Sequence, residues 1–425
     1  MPFCLRVYIN SAQARELTQR HEDFFAIANE CSMWNIFLFV SFDNNLYICL
    51  FKHVKLNKKV AFILNVHRPN DERVWYQQAA CLKEAGHEVF VFSGCVSLSD
   101  LPNVFCFDGN GISVKERVRK IAEVLKTWQP DVLVCDSSVA ILGAKKYKKI
   151  AGGRVRIIYD ITEWYPSKKN LRNSSFVGKI AKACVLIAFS FYTALCLDGF
   201  IFGEHYKSKP FRLFFPWKKY IYLSYYATLD FIKEYPLNDI SKECRLFYSG
   251  NMTMEKGFLN VVDTAILCAA RFPSTTFILQ IISRTEGCIF PDELPKNLKI
   301  EKRGFLPFLE FCREIGKADI FLDLRQTDME NTRCLPIKLF YYMATGRPVI
   351  YSDLKAIRKE APEVTEAGCL VNPEDTEAIV AQISSYLKDA QLYSNHCMRA
   401  RELVVQKYNW GVIKTGFEKF ISNPD

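Results

Sequence analysis

From Lys58 onward, short continuous apolar runs alternate with longer stretches in which apolar residues recur every three or four positions. The first pattern is that of a buried strand, the second that of a helix with one face on a core. Residues 60–66 read as a buried strand, 67–73 as a loop, 74–85 as a helix ended by Gly86, and 88–93 as the next strand. The alternation continues with an amphipathic helix over 114–128, a buried strand over 131–135, and a strand over 156–159 followed by the loop 160–166. Strands joined through helices predict a parallel sheet covered on both faces.

Between Tyr225 and Glu243 the period breaks at Pro236, Asn238, Asp239 and Ser241, which predicts a domain boundary. A second series follows: strand 245–249, loop 250–257, helix 258–271, strand 276–282, strand 300–304, helix 308–316, strand 320–324, helix 336–345 and strand 348–351. The fold class expected is α/β, with two Rossmann-like doubly wound domains facing a cleft and an N-terminal extension before them. The division predicted is an extension of unassigned role over 1–57, a first domain over 58–235, a second over 236–409, and a closing helix within 410–425 that crosses back to the first domain. Ligands of such folds bind at the carboxyl ends of the strands, so the site is expected in the cleft between the domains.

With 425 residues, 49% of them hydrophobic and 24% charged, the chain has the make-up of a globular protein with two cores rather than a disordered or membrane-embedded one. Its sixteen cysteines include no Cys-x-x-Cys pair and fall mostly in apolar stretches. They read as reduced core residues of a cytoplasmic protein, and with six scattered histidines they offer no metal site.

The net charge of +10 is unevenly spread: residues 145–219 hold sixteen Lys or Arg against four acids, a local balance of +12. Inside that stretch, residues 183–197 are uncharged and largely apolar, flanked by Lys179, Lys182 and Asp198, and too short to span a bilayer. They read either as a buried core helix or as a face that meets an anionic membrane surface, which would place the protein peripherally on the inner side of the membrane. No secretory leader is expected, because residues 1–30 lack an apolar core and carry Glu16, Glu22 and Asp23; the apolar run 34–42 is cut short at Asp43.

Neither domain's first strand is followed by Gly-x-Gly-x-x-Gly, and no Walker loop is present, so hydride transfer on a dinucleotide and NTP hydrolysis by the common route are disfavoured. The strongest stretch is 335–350, Leu-Pro-Ile-Lys-Leu-Phe-Tyr-Tyr-Met-Ala-Thr-Gly-Arg-Pro-Val-Ile, with Pro336 suited to a first helical position and Gly346 to the residue past the end. Lys338 then falls in the first turn, where the helix dipole disfavours a cation by roughly 0.3–1 kcal/mol unless an anion is present. A bound diphosphate would reverse that sign and take up the free amides of the turn. The bland alternative is a lysine that reaches out to solvent. In the first domain Asp71 reads as a helix N-cap or a site residue, and Arg73, a cation in a first turn, calls for an anion or a carboxylate partner. Glu163, followed by the flat faces of Trp164 and Tyr165, reads either as a group that orients an acceptor hydroxyl or as part of a packed loop. His67, at the first strand's end, reads as a general base or as a structural residue.

The run Pro-x-Lys-Leu-Phe-x-Tyr-Met-Ala-x-Gly-x-Pro-Val-Ile resembles the donor-site signature of the GT-B retaining glycosyltransferases of family four. Supporting segments stand in matching order: Tyr248-Ser249-Gly250-Asn251 with Glu255-Lys256-Gly257, Lys302-Arg303-Gly304-Phe305-Leu306, Ala318-Asp319-Ile320, and Gly368-Cys369-Leu370-Val371. Asn70-Asp71-Glu72-Arg73 and Tyr159-Asp160-Ile161-Thr162-Glu163 are similar to the family's acceptor-side loops. The resemblance implies transfer of a sugar from a nucleotide-diphosphate sugar to a glycan or lipid-linked acceptor, as in polysaccharide biosynthesis, with retention of configuration. It implies no metal and no other cofactor, and the absence of an Asp-x-Asp pair agrees; a nucleic-acid partner is disfavoured separately, because the basic stretch has aromatics but no recognisable module accompanies it. Lys256 and Lys338 would be the catalytic groups, neutralising the departing diphosphate. Gly250, Asn251, Arg303, Phe305, Glu330, Arg333 and Tyr341 would bind the donor, and His67, Asp71, Arg73 and Glu163 would lie on the acceptor side.

The family usually carries two Glu separated by seven residues, the second holding the donor's ribose hydroxyls. Arg333 and Tyr341 occupy those positions here, with Glu330 the nearby acid. A tyrosine hydroxyl cannot accept bidentately as a carboxylate does, whereas Arg333 is suited to an oxyanion. Two other readings share the architecture: a nucleotide-sugar epimerase, and a non-catalytic nucleotide- or sugar-binding protein.

Overall fold

The computed structural model describes residues 57–422 except Val66, 96–100, Asn110, Trp164, Tyr165, 285–289 and Asp292, together with three strands nearer the N-terminus. Those three, β1 (Tyr8–Ile9), β2 (Trp34–Val40) and β3 (Leu46–Lys52), form an antiparallel sheet in the order β1-β3-β2 within a unit of its own, Met1–Asn57. Glu16, Glu22 and Asp23, on which the leader argument rests, lie outside the described residues.

The second unit, Lys58–Asp425, holds two parallel sheets. The first is built from β4 (Lys59–Leu64), β5 (Glu88–Ser93), β6 (Val104–Cys106), β7 (Val132–Cys135), β8 (Arg156–Ile161), β9 (Gly199–Phe202) and β10 (Lys219–Tyr222), in the order β10-β9-β8-β7-β4-β5-β6. The second comprises β11 (Glu243–Ser249), β12 (Thr276–Ile282), β13 (Leu298–Arg303), β14 (Ile320–Asp323), β15 (Val349–Ser352) and β16 (Gly368–Val371), in the order β13-β12-β11-β14-β15-β16. Successive residues of a strand enter different cores. Phe62 and Val91 pack on one face of the first sheet, Ala61 and Phe92 on the other; in the second sheet Phe247 and Phe321 oppose Leu246 and Leu322. Burial on both faces explains why these strands read as continuous apolar runs, and it confirms two doubly wound layers facing a cleft.

The helices Val114–Trp128 and Phe258–Arg271 stand where the spacing predicts them. Ser113 caps the first of these by accepting from the Glu116 amide at 3.2 Å. The helix after β4 differs from expectation: it starts earlier, at Glu72, and is wound as a π-helix to Ala79 before continuing as Ala80–Glu84. In the 335–350 stretch Pro336 is the N-cap rather than the first helical residue, the helix is Ile337–Ala344, and Gly346 follows its end with φ +70.

The apolar segment of the basic stretch is also corrected. The helix runs Phe176–Leu195, includes Lys179 and Lys182, and is long and apolar enough to cross a membrane by length and composition. It is not a core helix: Phe176 is 78% exposed and Val177 75%, and only its last turns, with Ser190, Thr193 and Ala194, are buried.

Two crossings join the lobes side by side. Ala227 pairs with Asn409, and the Trp410 amide donates to the Ala227 carbonyl at 2.8 Å. The last helix, Trp410–Ser422, then sets Trp410, Phe417 and Ile421 into one core with Val60 and Phe62 of β4.

Candidate active site

In both sheets the strand order reverses beside the first strand, between β4 and β7 and between β11 and β14. Loops leaving the two sides of such a switch point diverge and leave a crevice. Here the two crevices face one cleft of about 670 Å³, lined from the first lobe by residues 67–72 after β4 and from the second by the loops after β11, β12, β13 and β14 and by the start of the Ile337–Ala344 helix.

On the second-lobe wall, the glycine loop brings Gly250, Asn251 and Lys256 to the cleft. Gly257 closes this loop with φ +68, and a β-carbon there would lie 1.7 Å from the Leu324 carbonyl oxygen, so the loop seats directly on the chain leaving β14. The Lys256 ammonium stands 3.2 Å from Glu255 and 3.4 Å from the Asn331 side-chain oxygen. Lys338, in the first turn of its helix, donates to the Ser249 carbonyl at 2.6 Å. Burial pulls its pKa down to about 8 against the attraction of Asp323, with Arg325 and Lys256 adding to the depression. Beneath it Arg325 forks onto Asp323 at 2.8 and 2.5 Å, and Tyr351 donates to the same carboxylate at 2.7 Å. Desolvation works to raise the Asp323 pKa, yet Arg325 and Tyr351 hold it below its ordinary value. The Leu339 amide donates to the Pro336 carbonyl at 3.3 Å, whereas the Ile337 and Lys338 amides open the helix with no preceding carbonyl in helical register, which completes an anion-receptive wall.

The first-lobe wall carries His67, Arg68, Asn70, Asp71 and Glu72. Asp71 is the N-cap, accepting from the Arg73 and Val74 amides at 3.1 and 3.4 Å, and its carboxylate also lies 3.6 Å from His67. Although burial opposes it, pairing with Asp71 and the nearby Asp136 and Glu163 raise the His67 pKa to about 9. The shift favours the imidazolium form of His67 at neutral pH. Its other ring nitrogen is 3.0 Å from the Thr162 hydroxyl.

Of the residues put forward from the sequence, His67, Asp71, Gly250, Asn251, Lys256, Phe305, Lys338 and Tyr341 line this cleft; Arg73, Glu163, Arg303, Glu330 and Arg333 do not. Arg73 is buried and forks onto Asp160 at 2.9 and 3.0 Å, with a third bond to the Leu223 carbonyl, so its partner is a carboxylate and its acceptor-side placement is corrected. Arg303 pairs with Glu314 at 3.0 Å and lines a shallower adjoining groove with Arg68 and Arg284. Glu330 accepts from the Lys168 amide at 2.9 Å, tying a second-lobe turn to the first lobe. Arg333 and Glu163 are exposed, and Trp164 and Tyr165 lie outside the described residues. Asp323 and Arg325 were not singled out from the sequence, and Glu72 entered only within the run 70–73 read as an acceptor-side loop. The rule that switch-point strand ends carry function would have found the first two, since Asp323 ends β14 and Arg325 lies two residues beyond it.

Residues 243–389 match the family model described as Glycosyl transferases group 1. A phosphatidyl-myo-inositol mannosyltransferase of Mycolicibacterium smegmatis is 30% identical over 166 residues, 37% of this chain and 39% of that protein, so the match spans well under half of the relative's length. Among solved structures, sucrose-phosphate synthase from Thermosynechococcus elongatus matches over 86% of this chain and 98% of its own, with 13% identity and a TM-score of 0.61. HepE of Anabaena in complex with UDP-glucose matches over 86% and 100%, with 13% identity and a TM-score of 0.61. By fold this chain is a GT-B protein, and by sequence its second domain resembles the group 1 glycosyltransferases.

Proposed function

We propose that the chain transfers a sugar from a nucleoside-diphosphate sugar to a hydroxyl of a glycan or lipid-linked acceptor, with retention of configuration and without a metal ion. The observation that carries this reading is the convergence of Lys256 and Lys338 on one cleft, between the glycine loop and a helix start. As the bond from the anomeric carbon to the diphosphate breaks, charge builds on the leaving oxygen; the two ammonium groups and the first-turn amides stabilise it where a metal would otherwise act. The acceptor oxygen forms the new bond, and its proton passes to the departing phosphate. Retention rests on the family resemblance alone. The HepE complex with UDP-glucose, in a protein of the same fold, supports a nucleotide sugar as the donor class.

Thermal melting with UDP, GDP, ADP and CMP tests the reading, because a ligand that binds only the folded state raises the melting temperature. One nucleotide should raise it, and the Lys256→Ala/Lys338→Ala double variant should lose the shift; a full shift in that variant sinks the assignment. Turnover of the matching nucleotide sugar only when an acceptor is added separates transfer from epimerisation.

A cytoplasmic site of action on the inner face of a membrane belongs to the same proposal. The exposed face of the Phe176–Leu195 helix presents Val177, Ile180 and Val185, while Lys179 and Lys182 lie on its other side. Its last turns are anchored in the first lobe, where Phe191 meets Phe214 at 4.9 Å, and the apolar surface continues through Leu213, Phe214 and Trp217. An anchored helix with lysines along one side suits the plane of an anionic surface. Sedimentation with phosphatidylglycerol vesicles at low salt should carry the protein down, and Ile180→Glu/Val185→Glu should leave it in solution; equal sedimentation of both proteins counts against the helix.

A further inference from the structure

We infer that Glu72 is a donor-binding residue reaching across the cleft from the first lobe, whose carboxylate accepts hydroxyl groups of a sugar ring of the donor. The inference rests on the nucleotide-sugar reading above and adds a residue to it.

Glu72 opens the π-helical turns after β4 and lines the cleft together with Lys338 and Tyr341 of the opposite lobe. Widened turns of this kind recur at functional sites. Every other acidic side chain on the cleft wall is committed: Asp71 to two amides and His67, Asp323 to Arg325 and Tyr351. Glu72 is not. Its Oε1 is buried and has no hydrogen-bond partner among the described residues. A buried acceptor left unpaired is costly, and in a ligand cleft the natural remedy is a donor brought by the ligand.

The neighbours indicate which donor. The Tyr341 hydroxyl accepts from the Gln77 side chain and the Thr228 amide, each at 3.4 Å, so its own proton is free to turn toward Glu72. Lys338 neutralises the charge nearby but is already engaged with Ser249. What remains is a carboxylate beside the proposed diphosphate wall, one of whose oxygens still lacks a donor. A nucleoside-diphosphate sugar carries such donors on either side of its diphosphate, on the ribose and on the transferred sugar. Tyr341 itself offers no carboxylate, so Glu72 supplies one from the other lobe, and donor binding would thereby draw the lobes together.

Burial, reinforced by Asp71, pushes the Glu72 pKa up to about 8, with Tyr341, Lys338 and Arg73 pulling the other way; Cys312 of the neighbouring helix also faces it. The ionised form accepts hydroxyls better, so hydroxyl recognition should strengthen as pH rises toward and past about 8.

The test measures affinities of wild type, Glu72→Gln and Glu72→Ala for inorganic pyrophosphate, for UDP, GDP and ADP, for their 2′,3′-dideoxy forms, and for UDP-glucose and GDP-mannose. If the ribose is the source, the wild-type preference for the nucleotide that binds over its dideoxy form should be about tenfold or more, as expected for hydrogen bonds to a charged group, and should vanish in Glu72→Ala. If the transferred sugar is the source, the ratio of nucleotide-sugar to nucleotide affinity falls instead. Either ratio should grow with pH in wild type and stay flat in Glu72→Gln, whose isosteric side chain keeps the packing. Pyrophosphate, which has no such hydroxyls, should bind all three proteins alike. Both ratios unchanged in Glu72→Ala, or pyrophosphate affinity falling in step with the nucleotide's, overturns the inference while leaving the transferase reading in place. No binding of any nucleotide by wild type removes both.

Discussion

The guanidinium of Arg73 grips the carboxylate of Asp160 through two parallel hydrogen bonds of 2.9 and 3.0 Å, and Gln78 donates to the same carboxylate at 2.7 Å. The bond joins the helix after β4 to the end of β8, beneath the cleft rather than in it. Removing one partner strands the other as a buried charge. Asp160→Ala is therefore expected to cost about 3–5 kcal/mol, and Arg73→Lys, which loses the fork, to cost part of that. Urea unfolding checks it; a loss below about 1 kcal/mol would mean that water relieves the stranded charge.

Lys338 should dominate binding of the diphosphate, because its ammonium is the more enclosed of the two lysines on the cleft. Lys338→Ala is expected to weaken the nucleotide that binds by about 10- to 100-fold, and Lys256→Ala by less. With its pKa lowered to about 8, Lys338 loses charge as pH rises past that value, so wild-type affinity should decline above it and that of Lys338→Ala should not. Titration calorimetry across that pH range gives the answer.

His67 carries a folded-state pKa of about 9, raised above its ordinary value by Asp71, Asp136 and Glu163 in spite of burial. A raised pKa contributes stability that is fully present below about pH 6.5 and is lost as pH climbs through about 9. The stability difference between wild type and His67→Gln should accordingly be larger at about pH 6 than at about pH 9.5. A difference that does not change with pH would contradict the ion pair.

Gly257→Ala places a β-carbon 1.7 Å from the Leu324 carbonyl, at a left-handed φ of +68. The backbone penalty alone is about 1–2 kcal/mol, and the clash adds to it by pushing the loop off β14. Lower thermal stability together with weaker nucleotide binding is the expected pair of effects. Normal binding with normal stability would show that the loop adjusts freely.

The two layers were legible because their strands are buried on both faces and their long helices keep one apolar stripe; the helix Phe258–Arg271 ends where its last apolar position does. The strand Gly199–Phe202 escaped notice because it follows an apolar helix with little turn chemistry between them, and Lys219–Tyr222 because, at the sheet edge, it is exposed or half-buried and shows no buried apolar run. That helix was misread in extent because lysines at positions 179 and 182 resemble a flank in one dimension and a side of a helix in three. In the site, Lys256, Lys338 and Gly250 were readable from local motifs. For Arg73, beneath the cleft, a carboxylate partner was readable but its identity was not, since Asp160 lies 87 residues away in sequence, and Glu72 looks like any solvated helix-start acid until the opposite lobe is placed over it.

The helix Trp410–Ser422 seats Trp410, Phe417 and Ile421 against β4, the earliest strand of the first parallel sheet. During synthesis, then, the interior of the first lobe cannot close until residues 410–421 have left the ribosome. A chain stopped short at the end of the second sheet would leave that interior open to chaperones and proteases, even though every strand of the first sheet had already been made.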